Sequence, residues 1–195
     1  MRALHSLRAA CAFTLISTAL LGGAYTLLVT GLAQAVFHQE ANGSLLERGD
    51  AIVGSALLGQ RFEHPRYFWS RPSALLNPYA PHMSGGSNLS PNNPTLHAAM
   101  QTRIAALQKA DPRQKAARIP VDMITASGSG LDPHISKDAA LYQLPRVARA
   151  RGLKEEEVAA MLDKYTTPAF LGLGRPYVNT TTLNLALDEM SVVKK

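Results

Sequence analysis

The sequence predicts one membrane-spanning helix followed by a single soluble domain of the α+β class. Residues 9–37 carry no charged side chain, and about 20 apolar residues are enough to cross a bilayer as a helix. The rest of the 195-residue chain alternates segments of helical periodicity with short apolar segments bounded by Gly, Pro and Asn. We therefore divide the chain into a basic head at residues 1–8, a transmembrane anchor at 9–37 and an α+β domain at 38–195.

The uncharged stretch has two interpretations. Ala33, Gln34 and Ala35 fit the A-x-A site of a cleaved signal peptide, but the apolar region of such peptides covers only about 7–15 residues. We therefore expect an uncleaved anchor. The anchor also contains small residues, which allow close helix packing in lipid. Their spacing alone favours a lone helix in which they are incidental. These residues are Ala19, Gly22, Gly23 and Gly31.

The charges around the anchor predict its orientation. Arg2 and Arg8 precede it, whereas the residues just after it carry Arg48 against three acidic side chains. Basic residues favour the cytoplasmic side. We expect a cytoplasmic head and a soluble domain outside the cytoplasm.

The first half of the domain is predicted to hold a hairpin, an aromatic core segment and a helix. Turn signals at residues 42–43 and 49–50 flank short strands at 45–46 and 51–58. The aromatic residues at 67–69 predict a core cluster with Arg71 stacked at its edge. Residues 77–94 are rich in Pro, Asn, Ser and Gly and predict a long loop, followed by a helix at 95–110.

The second half is organised around residues 124–152. An apolar strand at 121–125 is expected to lead into a Ser/Gly loop, in which Gly128 and Gly130 permit positive φ. Asp132 is a candidate N-cap for a helix starting at Pro133, and Ser136 is a second candidate one turn later.

Further elements follow towards the C-terminus. Pro145 is expected to kink or restart the helix, and Gly152 to end it. A helix at 154–165, a strand at 177–178 and a helix or strand at 182–187 complete the prediction.

Composition excludes several kinds of function. Lys and Arg number 20 against 14 Asp and Glu, a net charge of +6 that favours a solvated surface over nucleic-acid binding. Cys11 is the single cysteine, so no intrachain disulfide is expected. The histidines lack zinc-ligand spacing, and no phosphate-binding P-loop or G-x-S-x-G motif is present.

Two weaker candidate sites remain. Asp132 and His134 with Ser129 could form part of a hydrolase triad, although such residues more often cap helices. The loop containing Ser127 and Ser129 could hold an anion on its backbone N–H groups, and Gln143 and Arg146 lie three apart on one helix face. Residue types alone favour a structural loop.

Several long motifs, in order, resemble one known family. The sequence resembles the C chain of the bacterial potassium-transporting P-type ATPase, the Kdp system, over nearly its whole length. Ser90 replaces the usual Gly, and Thr180 and Thr181 replace more apolar residues. The motifs are GSALLGQ (54–60), YFWSRPSA (67–74), SGGSNL (84–89), PVDMITASGSGLDPHIS (120–136), QLPRVARARGL (143–153) and VNTTTLNLAL (178–187).

The resemblance implies a non-catalytic accessory subunit of a high-affinity potassium uptake complex in the bacterial inner membrane. The implied partners are a channel-like potassium-binding subunit, a P-type ATPase subunit and a small one-helix subunit. The family is described as a catalytic chaperone that raises the ATP affinity of the pump. Gln143 is then the first candidate for nucleotide contact, with Ser127, Ser129 and Arg146 behind it, and ATP would be shared with the ATPase subunit rather than bound stably.

Two other functions stay open from the sequence. One is a membrane-anchored extracytoplasmic hydrolase that uses Ser129, His134 and Asp132. The other is a free-standing ligand-binding module.

Overall fold

The computed structural model describes residues 2–115 and 117–193, with the side chains of residues 191–193 left out. The residues outside this description are Met1, Ala116, Lys194 and Lys195. The first residue of the predicted head and the last two of the predicted domain are therefore not described. The chain divides into two compact units, Met1–Leu45 and Leu46–Lys195.

The first unit is a continuous helix over Arg2–Val36, long and apolar enough to cross a membrane. It comprises α1 (Arg2–Ser17), a π-helical segment (Thr18–Tyr25) and α2 (Thr26–Val36). Its 35 residues span about 52 Å at 1.5 Å per residue, so the predicted head continues the same helix. The helix ends at Phe37, whose φ of −127° leaves the helical region, and the short α3 (His38–Ala41) follows.

The second unit contains two small sheets. β1 (Leu45–Arg48) and β2 (Ala51–Ser55) form the predicted hairpin, with Gly49 in its turn at φ +60°. The other sheet has the order β3-β5-β4 and is antiparallel: β3 (His134–Ser136), β4 (Thr166–Thr167) and β5 (Tyr177–Asn179). Ile135 lies opposite Val178 in its register, and both are buried.

Four helices complete this unit: α4 (Pro94–Ala110), α5 (Lys137–Arg151), α6 (Glu155–Lys164) and α7 (Thr180–Val193). Asn93 caps α4 by accepting a hydrogen bond from the Thr95 N–H at 2.8 Å. The core lies among α5, α6, α7 and the three-stranded sheet, and its fully covered side chains include Phe68, Val147, Leu162, Leu183 and Leu187. The prediction of an anchor helix followed by a mixed helix-and-sheet domain is confirmed.

Two local predictions are wrong, and one alternative is confirmed. Residues 121–123 form a 3₁₀ turn (Val121–Met123), not a strand. Asp132 does not cap a helix at Pro133, because residues 134–136 pair with β5. Ser136 caps α5 instead, its hydroxyl accepting from the Ala139 N–H.

The end of α5 follows the sequence more closely. The helix continues past Pro145 without a restart and ends at Gly152, which has a left-handed φ of +67°. The segment at 182–187 belongs to α7 and is therefore helical.

Candidate functional site

The candidate site is centred on one segment without regular secondary structure, residues 65–70, which we call the aromatic segment; it begins with a turn in which the Tyr67 N–H donates to the His64 carbonyl at 3.1 Å. Neighbouring strands do not pair with it. Side chains from α5 and α7 bind its backbone instead. Phe68 at its centre is fully buried, so the polar groups of its main chain need partners inside the protein.

Gln143 on α5 supplies two of these partners. Its Oε1 accepts the Trp69 N–H at 2.8 Å, and its Nε2 donates to the Trp69 carbonyl at 3.1 Å. A single amide thus replaces the pair of hydrogen bonds that a neighbouring strand would form. The side chain is only 1% exposed.

Asn184 on α7 repeats this arrangement one residue earlier. Its Oδ1 accepts the Phe68 N–H, and its Nδ2 donates to the Phe68 carbonyl, both at 2.8 Å. Gln143 and Asn184 therefore hold consecutive residues from two helices, and we call the two amides the amide clamp.

Arg146 braces the clamp. Its Nη2 donates to Gln143 Oε1 at 2.7 Å, its Nη1 donates to the Pro65 carbonyl, and its guanidinium stacks 4.3 Å from the centre of the Trp69 ring. Burial lowers the pKa of Arg146 to about 10, which leaves the group charged at neutral pH. The cation predicted to stack on this cluster was Arg71, and that prediction is wrong for Trp69.

Asp188 on α7 secures the start of the aromatic segment. Its carboxylate pairs with Arg66 at 3.1 Å and with Arg151 at 3.0 Å, and it accepts the Tyr67 hydroxyl at 3.0 Å. Arg151 also donates to the Arg66 carbonyl. Burial raises the pKa of Tyr67, and the bond to Asp188 adds to the effect.

Two serine hydroxyls of the Ser/Gly loop accept hydrogen bonds from backbone N–H groups close by in the sequence. The Ser127 hydroxyl accepts the Gly130 N–H at 2.9 Å, and the Ser129 hydroxyl accepts the Leu131 N–H at 3.1 Å. The Ser129 carbonyl accepts from Gly85 at 2.8 Å, which docks the long 77–94 loop here. These bonds hold the turn of the loop in place.

Only one of the two loop glycines has a positive φ. Gly130 has φ +71°, and a Cβ there would lie 2.7 Å from Leu75 Cγ. Gly128 is outside the left-handed region, and an added Cβ would meet nothing within 4 Å. Of the two glycines that permit a positive φ, only Gly130 therefore adopts one.

The hydrolase candidates assemble only in part in the described residues: His134 Nδ1 lies 3.5 Å from Asp132 Oδ1, but Ser129 does not join them. Asp132 Oδ1 accepts the His134 N–H at 2.9 Å and its other oxygen pairs with Arg71 at 3.3 Å. The His134 ring packs edge-on against Tyr177, and no hydrogen bond joins Ser129 to His134 among the described side chains. Burial opposes ionisation of Asp132, but the bonds from His134 and the charge of Arg71 outweigh it and lower its pKa.

The two threonines that depart from the resembled family are explained by their partners. Thr180 and Thr181 are fully buried. The Thr180 hydroxyl donates to the Pro133 carbonyl at 3.0 Å, and the Thr181 hydroxyl donates to the Leu58 carbonyl at 3.2 Å. The hydroxyls therefore tie the start of α7 to two loops instead of leaving buried polar groups unpaired.

The structure brings Gln143 and Arg146 together, as their spacing predicts, and places Ser127 and Ser129 in a separate loop. Sequence reasoning missed Asn184 and Asp188. Both lie in α7 at positions four apart, a spacing that puts two side chains on one helix face, and this is the signal that could have found them. No group of His, Cys, Asp or Glu in the described part of the chain is arranged to hold a metal ion.

The fold and the clamp define the class of the protein. It has an apolar N-terminal helix and a mixed helix-and-sheet domain whose packing is stabilised by buried polar side chains. Comparison with known proteins is more specific. Residues 7–189 match the family described as "K+-transporting ATPase, c chain". The chain belongs to this family, which confirms the resemblance drawn from the motifs.

Curated relatives agree over almost the full length. A "Potassium-transporting ATPase KdpC subunit" of Sorangium cellulosum is 54% identical over 187 residues, covering 95% of this chain and 98% of the relative. Proteins with the same name from Ralstonia nicotianae and Serratia proteamaculans are each 50% identical, covering 94% of this chain and 91% and 98% of themselves.

Proposed function

We propose that this chain is a non-catalytic subunit of a potassium-transporting ATPase, anchored in the bacterial inner membrane by its N-terminal helix. The observation that carries the proposal is the family match, which runs from residue 7 to residue 189. It therefore includes the apolar helix as well as the domain. Its proposed partners are a channel-like potassium-binding subunit, a P-type ATPase subunit and a small one-helix subunit.

The soluble domain is proposed to lie outside the cytoplasm. Support comes from the charge distribution, with Arg2 and Arg8 before the helix and mainly acidic residues just after it. ATP is consumed on the cytoplasmic side, and the hydrocarbon layer between them is about 30 Å thick. A side chain of the domain cannot span that distance.

An effect on the ATP affinity of the pump is then proposed to be transmitted through assembly. Such coupling between distant sites amounts to about 1–3 kcal/mol. The burial of Gln143 supports this route, because its amide is already bonded to Trp69 and Arg146.

Direct nucleotide contact by Gln143, Arg146, Ser127 and Ser129 stays a prediction. It requires a domain on the cytoplasmic side and the release of the bonds these side chains make. ATP is in either case proposed as shared with the ATPase subunit, not as a resident cofactor.

Affinity purification tests the proposal. The tagged full chain is expressed with the other chains of its transport system and extracted in mild detergent, and the recovered proteins are identified by mass. We expect the ATPase and channel-like subunits in the eluate. Recovery of this chain alone would overturn the proposed function.

A further inference from the structure

The polar side chains of the N-terminal helix recur every four residues. From residue 6 to residue 34 this period selects hydroxyl and amide side chains together with two small residues, and we call these positions the polar row. Its members are Ser6, Ala10, Thr14, Thr18, Gly22, Thr26, Thr30 and Gln34. The other two hydroxyl side chains between these positions are Ser17 and Tyr25.

A second row with the same period is apolar throughout, and we call it the apolar row. Its members are Ala12, Ile16, Leu20, Ala24, Leu28, Leu32 and Val36. Each of them lies two residues from a member of the polar row, which corresponds to about 200° around an α-helix. The two rows therefore lie on opposite faces of the helix.

A regular α-helix would not keep either row on one face. It has 3.6 residues per turn, so a step of four residues overshoots a full turn by about 40°. From Ser6 to Gln34 the polar row would therefore drift by about 280° around the axis. Thr14 and Thr30 would then lie about 160° apart, on nearly opposite faces.

The π-helical segment, Thr18–Tyr25, corrects this drift in the middle of the helix. Hydrogen bonds in a π-helix run from i to i+5, so each turn takes more than four residues. A step of four residues there falls short of a full turn, and the row drifts back. The Thr26 hydroxyl follows the wider turn, because it donates to the Leu21 carbonyl, five residues earlier, at 3.0 Å.

A polar face along a membrane-spanning helix is expected to meet protein, because polar side chains there turn away from lipid. No residue of this helix is buried within its own chain. The described residues contain one helix that is long and apolar enough to cross a membrane, so a second helix must come from another chain. Hydroxyl and small side chains allow such a helix to pack closely.

We propose that the π-helical segment is a device that holds the polar row on one face, so that both halves of the anchor present this face to a transmembrane helix of another subunit. The apolar row is then left in contact with lipid. This inference rests on the proposed function and adds to it the face of the anchor that makes the contact.

Tryptophan substitutions in the full chain test the alignment of the two halves. Thr14→Trp and Thr30→Trp should each lower the recovery of co-expressed partner subunits in mild detergent about tenfold, because the bulky ring overpacks a close helix contact. Ile16→Trp and Leu32→Trp are the matched controls, with the same separation along the helix. They should leave recovery unchanged, because lipid accommodates the ring.

The outcomes separate this inference from the proposed function. A regular α-helix would split each pair into one harmful and one harmless substitution, and that result would overturn the proposal. Four harmless substitutions would also overturn it, as would recovery of a second tagged copy of this chain that Thr14→Trp abolishes. If the parent chain recovers no partner subunit, the proposed function fails.

Two deletions of one residue each test the segment itself. Without Ala24, an uninterrupted α-helix would place Thr14 and Thr30 about 60° apart, so recovery should stay within about twofold of the parent. Deleting Leu28 shortens the helix equally but outside the segment, and it turns Thr30 by about 100° relative to Thr14. Recovery should then fall about tenfold, and equal recovery of the two deletion variants would overturn the role of the segment.

Discussion

Replacing Gln143 by alanine tests whether the buried amide has a structural role. The change removes the bonds to the Trp69 N–H and carbonyl and the partner of Arg146 Nη2. Each buried polar group left without a partner costs about 1–3 kcal/mol. We expect the free energy of unfolding to fall by about 2–4 kcal/mol, since the half-buried Trp69 backbone recovers part of its loss through water.

The assay uses the single tryptophan of the chain. Trp69 lies in the clamp, so its fluorescence during denaturant unfolding of the full chain in detergent reports on this region. Gln101→Ala is the matched control, an exposed glutamine on α4, and should shift the free energy of unfolding by less than about 0.5 kcal/mol. Equal unfolding midpoints for the two variants would refute the structural role of Gln143. A loss of ATP affinity in the assembled Gln143→Ala complex would strengthen that refutation.

Three further predictions concern the loop, the anchor and one carboxylate. Gly130→Val should lower the thermal midpoint by several degrees, because the added atoms meet Leu75 and φ is positive, whereas Gly128→Val should lower it far less; equal melting curves would contradict this. Gly23→Leu should reduce the recovery of partner chains in mild detergent. An added Cβ at this position meets nothing in its own chain within 4 Å, so a loss of recovery would indicate that Gly23 packs against another helix. Undiminished recovery would indicate a lone anchor. Ionised Asp132 should stabilise the domain above its unfolded pKa of about 4, and this contribution is lost as pH falls through the lowered folded pKa. Acid titration of Asp132→Asn should therefore show a weaker loss of stability below about pH 4 than the parent, and parallel curves would count against the ion pair.

Local signals predicted most of the secondary structure. The apolar run, the helical periodicity of α4 and α6, and Gly152 as a helix end all depend on neighbours in the sequence. The sequence offered two candidate caps for α5, and the second of them, Ser136, is the cap. Asp132 and Ser136 both fit a cap, and the pairing of Ile135 with Val178, which is distant in the sequence, decides between them.

The clamp could be predicted only in part, because its bonds are long-range. The sequence places Gln143 and Arg146 on one helix face, but nothing local shows that the face meets the aromatic segment. Asn184 reaches Phe68 across 116 positions. The stacked cation is also distant in the sequence. Local reasoning therefore predicted Arg71, whereas tertiary packing brings Arg146 to Trp69.

The position of the domain relative to the membrane tests the central claim most directly. If the subunit acts on the pump through assembly from outside the cytoplasm, a reporter that is active only outside the cytoplasm should be active when fused after Lys195 in cells that express the whole complex. Activity of a cytoplasm-only reporter at the same fusion point would contradict the account and would make direct contact between Gln143 and the nucleotide the better explanation.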